Sequence, residues 1–191
     1  MADFAHDRVR DLLDDVSRRM STFRKTRDSS GHADQTTGNG IAEIEARFTQ
    51  IDWACHEIRN MEENHFRTPW IAISLDPNKT RFDQARTDLL ALRFMVEGVY
   101  MAAWQVREVC QRIKALKFDA NGLRYVRNQL IVHPTKPDGV YSWSYAIGMD
   151  GNGLTLAVAR SDGDLSKQLD AGFWPNLEEF LLNFDAKLRQ L

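Results

Sequence analysis

The chain has 191 residues, of which 43% are hydrophobic and 27% charged, and its formal net charge is −2. These values are typical of an ordinary soluble globular protein, long enough for one domain with a proper core. The charge argues against a generally basic nucleic-acid coat, and no apolar run approaches the roughly 18 to 20 residues of a membrane span. The N-terminal stretch MADFAHDRVRD lacks the apolar segment of a secretory signal, so a cytoplasmic protein is expected.

The first predicted helix runs from about Ala5 to Lys25. Its apolar residues recur at steps of three and four, which places them on one face. They are Val9, Leu12, Leu13, Val16, Met20 and Phe23. Residues 26–40 follow, with no aliphatic residue beyond one alanine. We expect them to form a mobile surface loop because they have nothing to bury.

Two longer helices are predicted next. The second starts near Ile41 and fades by His65, and the third runs from about Arg81 to Leu116. Both keep the three-four alternation of apolar residues that is typical of packed antiparallel helices. The third helix has additional apolar residues outside this alternation, which predict a central helix with several partners. These residues are Leu90, Phe94, Met101 and Trp104.

A short fourth helix is predicted after the third. Asp119 or Asn121 is its expected cap. His133 precedes Pro134, and a residue before proline is disfavoured in the α region. The helix should therefore end near Val132.

The apolar period then changes to two on both sides of the turn sequence DGNG, which predicts a β-hairpin at about 140–160. A last helix is expected to begin at Pro175, because proline suits the first helical position. Its apolar stripe comprises Leu177, Phe180, Leu181, Phe184, Leu188 and Leu191. The sequence thus predicts an all-α fold in a single domain, residues 1–191. It is a bundle of about five helices with a β-hairpin inserted before the last one.

The stretch YVRNQLIVHP, residues 125–134, brings polar groups to the end of the fourth helix. Arg127 and Asn128 are followed, after mostly apolar residues, by His133. The six residues from arginine to histidine give about 9 Å of rise and roughly 120° of rotation on a helix. The two side chains can still face one exposed notch if the arginine leans toward the turn at Pro134.

This residue set suits RNA cleavage by internal transfer. One group must remove the proton from the ribose 2′-OH, another must protonate the leaving 5′-oxygen, and a fixed cation must meet the charge on the phosphorane. Histidine is suited to proton transfer near neutral pH, and arginine can hold two phosphate oxygens at once. Asn128 can orient the phosphate or the imidazole. One motif supplies only one histidine and one arginine, which are few groups for a complete site. A two-fold dimer with facing motifs would supply two of each.

The pattern of arginine, polar residue, four residues and histidine resembles the motif of the HEPN superfamily, all-α dimeric proteins of which many are metal-independent endoribonucleases. The resemblance covers about residues 5–135 and the last helix, so the hairpin is an elaboration of that core. It implies that Arg127 and His133 are the catalytic pair, that no metal or other cofactor is needed, and that the chain is a homodimer. Some members of the superfamily are non-catalytic binding or interaction modules.

Basic residues surround the motif. Seven basic residues against two acidic ones lie between Arg107 and Pro137, and this excess can attract phosphate if the fold gathers it on one surface. Arg124 and Lys136 are therefore predicted to contact the substrate. Alternatively, these side chains are scattered and solvated on helix faces.

A second copy of the same spacing lies on the second helix, where Arg59 and Asn60 precede His65. Its interior is acidic, no proline follows, and carboxylates would compete for the arginine. We interpret this copy as a solvated helix end. For the Arg127 copy, the alternative is a buried helix end at which His133 caps backbone carbonyls.

Metal and disulfide sites are weakly indicated elsewhere. Cys55 and Cys110 have no CxxC spacing, and His56 with Glu57 lacks the second histidine of an HExxH motif. A charged cluster near the end of the second helix is more typical of a solvated surface than of a metal site. It consists of Glu62, Glu63 and His65.

The sequence therefore favours a metal-independent endoribonuclease that acts on RNA as a homodimer, with a toxin or phage-defence role and an antitoxin protein as a further partner by family analogy. The alternative is a non-catalytic helical module of the same type that binds RNA, a nucleotide or a protein partner.

Overall fold

A computed structural model describes residues 5–29, 35–65, 79–118, 143–150, 153–160, 169–170 and 173–191. Four helices form the core of this part of the chain. They are α1 (Ala5–Ser29), α2 (Gln35–His65), α3 (Lys79–Arg112) and α4 (Phe173–Leu188). The helical character of the predicted fold is confirmed. The fourth predicted helix, near 119–132, lies outside the described residues.

Helices α1 and α2 are antiparallel and are linked at both ends by ion pairs. Asp7 Oδ1 lies 3.3 Å from Arg59 Nη1, and Glu45 Oε2 lies 2.8 Å from Arg24 Nη1. The predicted apolar stripes explain this packing. On α1, two of the six predicted stripe residues, Leu12 and Phe23, are only partly buried. On α2, every apolar residue predicted in the three-four alternation is buried: Ile41, Ile44, Phe48, Ile51, Cys55 and Ile58.

The predicted loop over residues 26–40 is wrong at both ends. Helix α1 continues to Ser29 and α2 already begins at Gln35, which leaves 30–34 outside the described residues. The polar side chains at the end of α1 are accommodated in the helix, because they bond to the helix itself. The hydroxyls of Thr26 and Ser29 donate to the carbonyl oxygens four residues earlier, at 3.1 and 2.8 Å.

Gly40 explains how α2 and α3 pack closely. A Cβ at this position would lie 3.0 Å from Ile113 Cδ1 and 3.3 Å from Val109 Cγ1, so glycine allows the two helices to approach. The start of α2 thus lies beside the end of α3, and the helices are antiparallel. Their facing stripes supply much of the core, and the thiols of Cys55 and Cys110 are buried in it and form no disulfide.

Helix α3 ends earlier than predicted and is more exposed than predicted. Ile113 has extended backbone angles, φ −96° and ψ 96°, which separates α3 from a 3₁₀ turn at Lys114–Leu116. Among the additional apolar residues, Phe94 is 72% and Leu90 is 49% exposed. Within the described part of the chain, α3 therefore buries its main stripe but not this flank.

Helix α4 runs parallel to α1 and completes the core. Glu178 Oε1 lies 2.8 Å from Arg8 Nε, and further along both helices Asp185 Oδ1 lies 2.6 Å from Arg19 Nε. Its predicted stripe is buried as far as Leu188, whereas Leu191 is 54% exposed.

The predicted start of α4 at Pro175 is two residues late. Phe173 and Trp174 are both buried, and the Phe173 ring meets Tyr100 of α3 edge-on at 5.8 Å. This packing holds the first turn in helical conformation.

The strands lie between α3 and α4 in the chain. They are β1 (Trp143–Asp150), β2 (Gly153–Arg160) and β3 (Leu169–Asp170), in the sheet order β1-β2-β3. Both pairings are antiparallel, with Tyr145 opposite Val158 in the first and Val158 opposite Leu169 in the second.

Candidate functional site

The residues that the sequence assigns to catalysis and substrate binding lie outside the described part of the chain. They are Arg124, Arg127, Asn128, His133 and Lys136. The structure describes how the chain leads to them. After α3, Leu116 is buried, and the Phe118 ring lies 5.6 and 5.3 Å from Phe180 and Phe184 of α4. Gln111 Nε2 donates a hydrogen bond to the Phe118 carbonyl oxygen at 2.9 Å. Residues 116–118, which precede the motif segment in the chain, are thus fixed against the core and α4.

The second Arg-Asn-His spacing lies at the end of α2, where His65 is the last helical residue. Arg59 is held by Asp7 of α1, through the 3.3 Å ion pair, and both side chains are about one-third exposed. A carboxylate does engage this arginine, and it comes from another helix, α1. Sequence spacing along α2 gave no sign of this partner.

A cleft of about 360 Å³ opens beside Arg59, between α1, α2 and the first turn of α4. Its apolar lining residues are buried and form the floor. These are Val9, Leu13, Cys55 and Trp174. Its polar lining residues are Arg10, Asp52, His56, Arg59 and Asn60. The cleft therefore combines an apolar floor with cationic, carboxylate and amide groups.

The sequence did contain a signal for this cleft. Asp52, His56 and Arg59 are spaced by four and three residues, so a helix places them on one face. The incomplete HExxH motif at His56 and Glu57 does not itself indicate this cleft. The contribution of Arg10 and Trp174 depends on how three helices pack, which spacing within one helix does not reveal.

A second cleft, of about 500 Å³, lies between α1 and the end of α4. Beside it, the buried Asp185 contacts two arginines. Arg189 Nε donates to Asp185 Oδ2 at 2.6 Å, and Arg19 Nε lies 2.6 Å from Oδ1 without hydrogen-bond alignment. These arginines are committed to a buried carboxylate, so we interpret the cluster as structural. The sequence signal for it was the spacing of Asp185 and Arg189, an acid and a base four residues apart.

Two buried groups with shifted pKa values are unsuited to chemistry at neutral pH. Burial raises the pKa of Tyr100 to about 12, although the hydrogen bond from Asn176 Nδ2 to its hydroxyl, 3.2 Å long, opposes the shift. Burial also raises the pKa of the Cys110 thiol to about 12. Neither group is a ready nucleophile or general base, because both remain protonated at pH 7.

Within the described ranges, no group of three or more histidine, cysteine, aspartate or glutamate residues is placed to hold a metal ion. The acidic cluster near the end of α2 includes Glu62, Glu63 and His65, whose side chains are outside the description.

Comparisons with known proteins leave the chain without an assigned family: no family model, no curated protein and no solved structure matches it. The resemblance to the HEPN superfamily therefore depends on the motif at residues 127–133.

None of the helices in the described part of the chain is long and apolar enough to cross a membrane.

Proposed function

We propose that this protein is a metal-independent endoribonuclease that acts as a homodimer. In this proposal Arg127 holds the scissile phosphate and His133 transfers protons. Asn128 orients either the phosphate or the His133 imidazole. Arg124 and Lys136 contact the RNA backbone. The Arg127–His133 motif itself carries the proposal, and the helical core is compatible with it. A HEPN-like bundle of about five helices with the strands as an insertion, a cytoplasmic location, a toxin or phage-defence role and an antitoxin partner belong to the same proposal.

The outer face of α3 supports the homodimer. Leu90, Phe94, Gly98 and Met101 follow one another at steps of three and four, on the side opposite the buried stripe. Phe94 is 72% exposed, and large exposed apolar groups in a row are typical of a surface that binds a protein. We call these four residues the α3 stripe.

The α3 stripe has the shape that a two-fold contact requires. In an antiparallel pair of α3 helices with the axis near residue 96, each Phe94 would face Gly98 of the other copy. Apart from its chain neighbours and the nearby backbone of its own helix, no described atom lies within 4 Å of the place where a Gly98 Cβ would be, so an aromatic ring has room there. Each half of such a contact supplies one ring and one gap, which is the self-complementarity of an isologous interface.

The charges beside the α3 stripe are also self-complementary. Arg93 and Glu97 form an ion pair within the helix, with Nε and Oε1 3.0 Å apart. The same antiparallel pairing, with its axis near residue 96, brings each arginine within about one helical turn of the glutamate of the other copy. Like charges would not meet, which favours the antiparallel arrangement.

Substitutions at the motif test the catalytic proposal. His133→Ala should abolish RNA cleavage and leave the melting temperature unchanged. Arg127→Lys should also abolish cleavage, because a lysine cannot reproduce the two-pronged phosphate contact. His65→Ala is the matched control, since it changes the histidine of the second Arg-Asn-His spacing, and it should cut RNA like the parent. A His133→Ala protein that unfolds would instead make His133 a structural cap.

The second candidate is a non-catalytic helical module that binds RNA, a nucleotide or a protein. The cleft beside Arg59 and the exposed Phe94 favour it, since neither feature needs the Arg127 motif. A parent protein that binds RNA with an unchanged RNA length after incubation would support this module over the enzyme.

A further inference from the structure

We infer that the cleft between α1, α2 and the first turn of α4 binds a small organic amine, which is an ammonium group attached to an apolar body. The site is separate from the Arg127 motif and does not depend on RNA cleavage. Its ligand is also none of those of the second candidate function, because the charges around the cleft favour a cation.

The arginines of the cleft are already paired with carboxylates. Asp7 Oδ1 lies 3.3 Å from Arg59 Nη1 and 4.0 Å from Arg10 Nη2. Arg10 Nη2 also lies 3.5 Å from Asp11 Oδ1. Asp52 adds a further carboxylate to the lining, and no described residue forms an ion pair or a side-chain hydrogen bond with it. The charge that is left without a partner at the cleft is therefore negative, which attracts a cationic ligand and disfavours an anionic one.

Three hydrogen-bond acceptors follow one another along the α2 side of the cleft. Asp52, His56 and Asn60 are spaced by four residues, so the helix places them in one row. The carboxylate oxygens, one nitrogen of a neutral imidazole and the amide oxygen all accept hydrogen bonds. An ammonium group has three N–H donors and no acceptor, so its hydrogen-bonding capacity matches this row.

The floor of the cleft accommodates the apolar body of the ligand. It is formed by the buried side chains of Val9, Leu13, Cys55 and Trp174. An apolar ring that covers these side chains is removed from water, which favours binding. The volume of about 360 Å³ is at the small end of ligand pockets and suits one ring with a short chain.

The site is carried by stable parts of the fold. Val9 and Leu13 belong to the core stripe of α1, and Cys55 belongs to that of α2. The Asp7–Arg59 ion pair joins the two helices at the edge of the cleft. The binding groups are therefore held on packed helices, which favours a site formed before the ligand arrives.

Equilibrium dialysis of the full chain with phenethylamine tests the inference at pH 7, where a primary alkyl amine is charged. Saturable binding with a Kd of about 1 mM or tighter is expected. Phenethyl alcohol keeps the ring without the charge and should bind at least about fivefold more weakly. Hydrocinnamate carries the opposite charge and should bind at least about tenfold more weakly. No saturable binding of the amine by the parent, or binding of the alcohol or the acid as tight as that of the amine, would overturn the inference.

Two carboxylates of α2 provide the variant and its control. Asp52→Asn removes the charge with little change of shape and should weaken phenethylamine binding at least about fivefold. Glu43→Gln is the matched control, because Glu43 is also exposed on α2 but lies about 13 Å from Asp52 along the helix axis, outside the cleft. It should bind the amine like the parent. Unchanged binding by Asp52→Asn, or an equal loss in Glu43→Gln, would contradict the site.

Arg10 distinguishes a cationic ligand from an anionic one. Arg10→Gln should bind phenethylamine at least as tightly as the parent, because it removes a like charge from the cleft and leaves Asp11 without this partner. Binding that is several-fold weaker in Arg10→Gln would contradict the inference. Thermal melts of the three variants should match that of the parent, since all three side chains are exposed.

Discussion

Asp185 of α4 contacts Arg19 of α1, with Oδ1 and Nε 2.6 Å apart, and the aspartate is only 4% exposed. Its other oxygen accepts from Arg189 Nε at 2.6 Å. This buried carboxylate is compensated by two arginines, one just after the end of its own helix and one from α1. The contact therefore links α1 to α4 at the end of the bundle away from the Arg8–Glu178 pair.

Asp185→Ala should lower the free energy of unfolding by about 2 to 4 kcal/mol, because it leaves two arginines without their buried partner. This loss in the free energy of unfolding is smaller than that expected for breaking a fully buried pair, because both arginines are partly exposed. Urea denaturation measures the change. Asp28→Asn is the control: its carboxylate pairs with Arg24 at 4.0 Å on the surface, so a change within about 0.5 kcal/mol is expected. Equal effects of the two substitutions would contradict the structural role of Asp185.

Two glycines in the first turns of α2 should respond in opposite directions. Gly38→Ala should stabilise the protein by roughly 0.5 to 1 kcal/mol, because alanine favours a helix and no described atom lies within 4 Å of the new Cβ. Gly40→Leu should destabilise it by about 1 to 3 kcal/mol, because its side chain would meet Val109 and Ile113. Urea denaturation measures both. If neither substitution changed the free energy of unfolding, the assignment of residues 35–40 to a packed helix would be contradicted.

The homodimer can be tested at Phe94. Light scattering at micromolar concentration should give twice the 22.0 kDa of one chain for the parent. Phe94→Ser should give the mass of one chain and still melt cooperatively, because the ring is 72% exposed within the monomer. Leu182→Ser is the control, since Leu182 is 49% exposed but lies on α4, and it should remain a dimer. A parent of 22.0 kDa would contradict the dimer, and a dimeric Phe94→Ser would place its interface elsewhere.

Stability should fall in alkaline solution because two buried groups must stay protonated in the folded protein. Tyr100 and Cys110 have folded pKa values of about 12, above their ordinary values of 10.0 and 9.0. Their contribution is complete below the ordinary values and is lost as the pH rises through this range, since the unfolded chain releases these protons first. The urea midpoint should therefore decrease between pH 9 and 12. Cys110→Ala should show a smaller decrease than the parent, and an identical decrease would contradict the assignment to this thiol.

Local periodicity predicted the core well where one helix face is buried. On α2, Ile44, Ile51 and Ile58 are fully buried, as the three-four alternation indicated. The same reasoning failed where an apolar side chain has no described partner, as for Phe94 and Leu191. It also failed at residues 26–29 and 35–40, because polar residues on a solvent-facing helix have no apolar stripe to reveal them.

For the candidate site too, the sequence revealed features within one helix but not those that depend on packing between helices. The spacing of Asp52, His56 and Arg59 could be read from the sequence, since these residues share one helix. The approach of Asp7 to Arg59 and of Trp174 to the cleft could not, because each depends on packing between helices distant in the chain. Arg127 and His133 remain a prediction from the motif, since they lie outside the described residues.

The most direct test of the central claim is to incubate the purified parent with mixed RNA in EDTA and analyse the new ends. We predict shortened RNA with 2′,3′-cyclic phosphate and 5′-hydroxyl ends, because the 2′-oxygen attacks the phosphate without a metal ion. The His133→Ala protein, folded like the parent, should leave the RNA intact. Intact RNA with the parent, or the same cleavage by folded His133→Ala, would contradict the assignment of catalysis to Arg127 and His133.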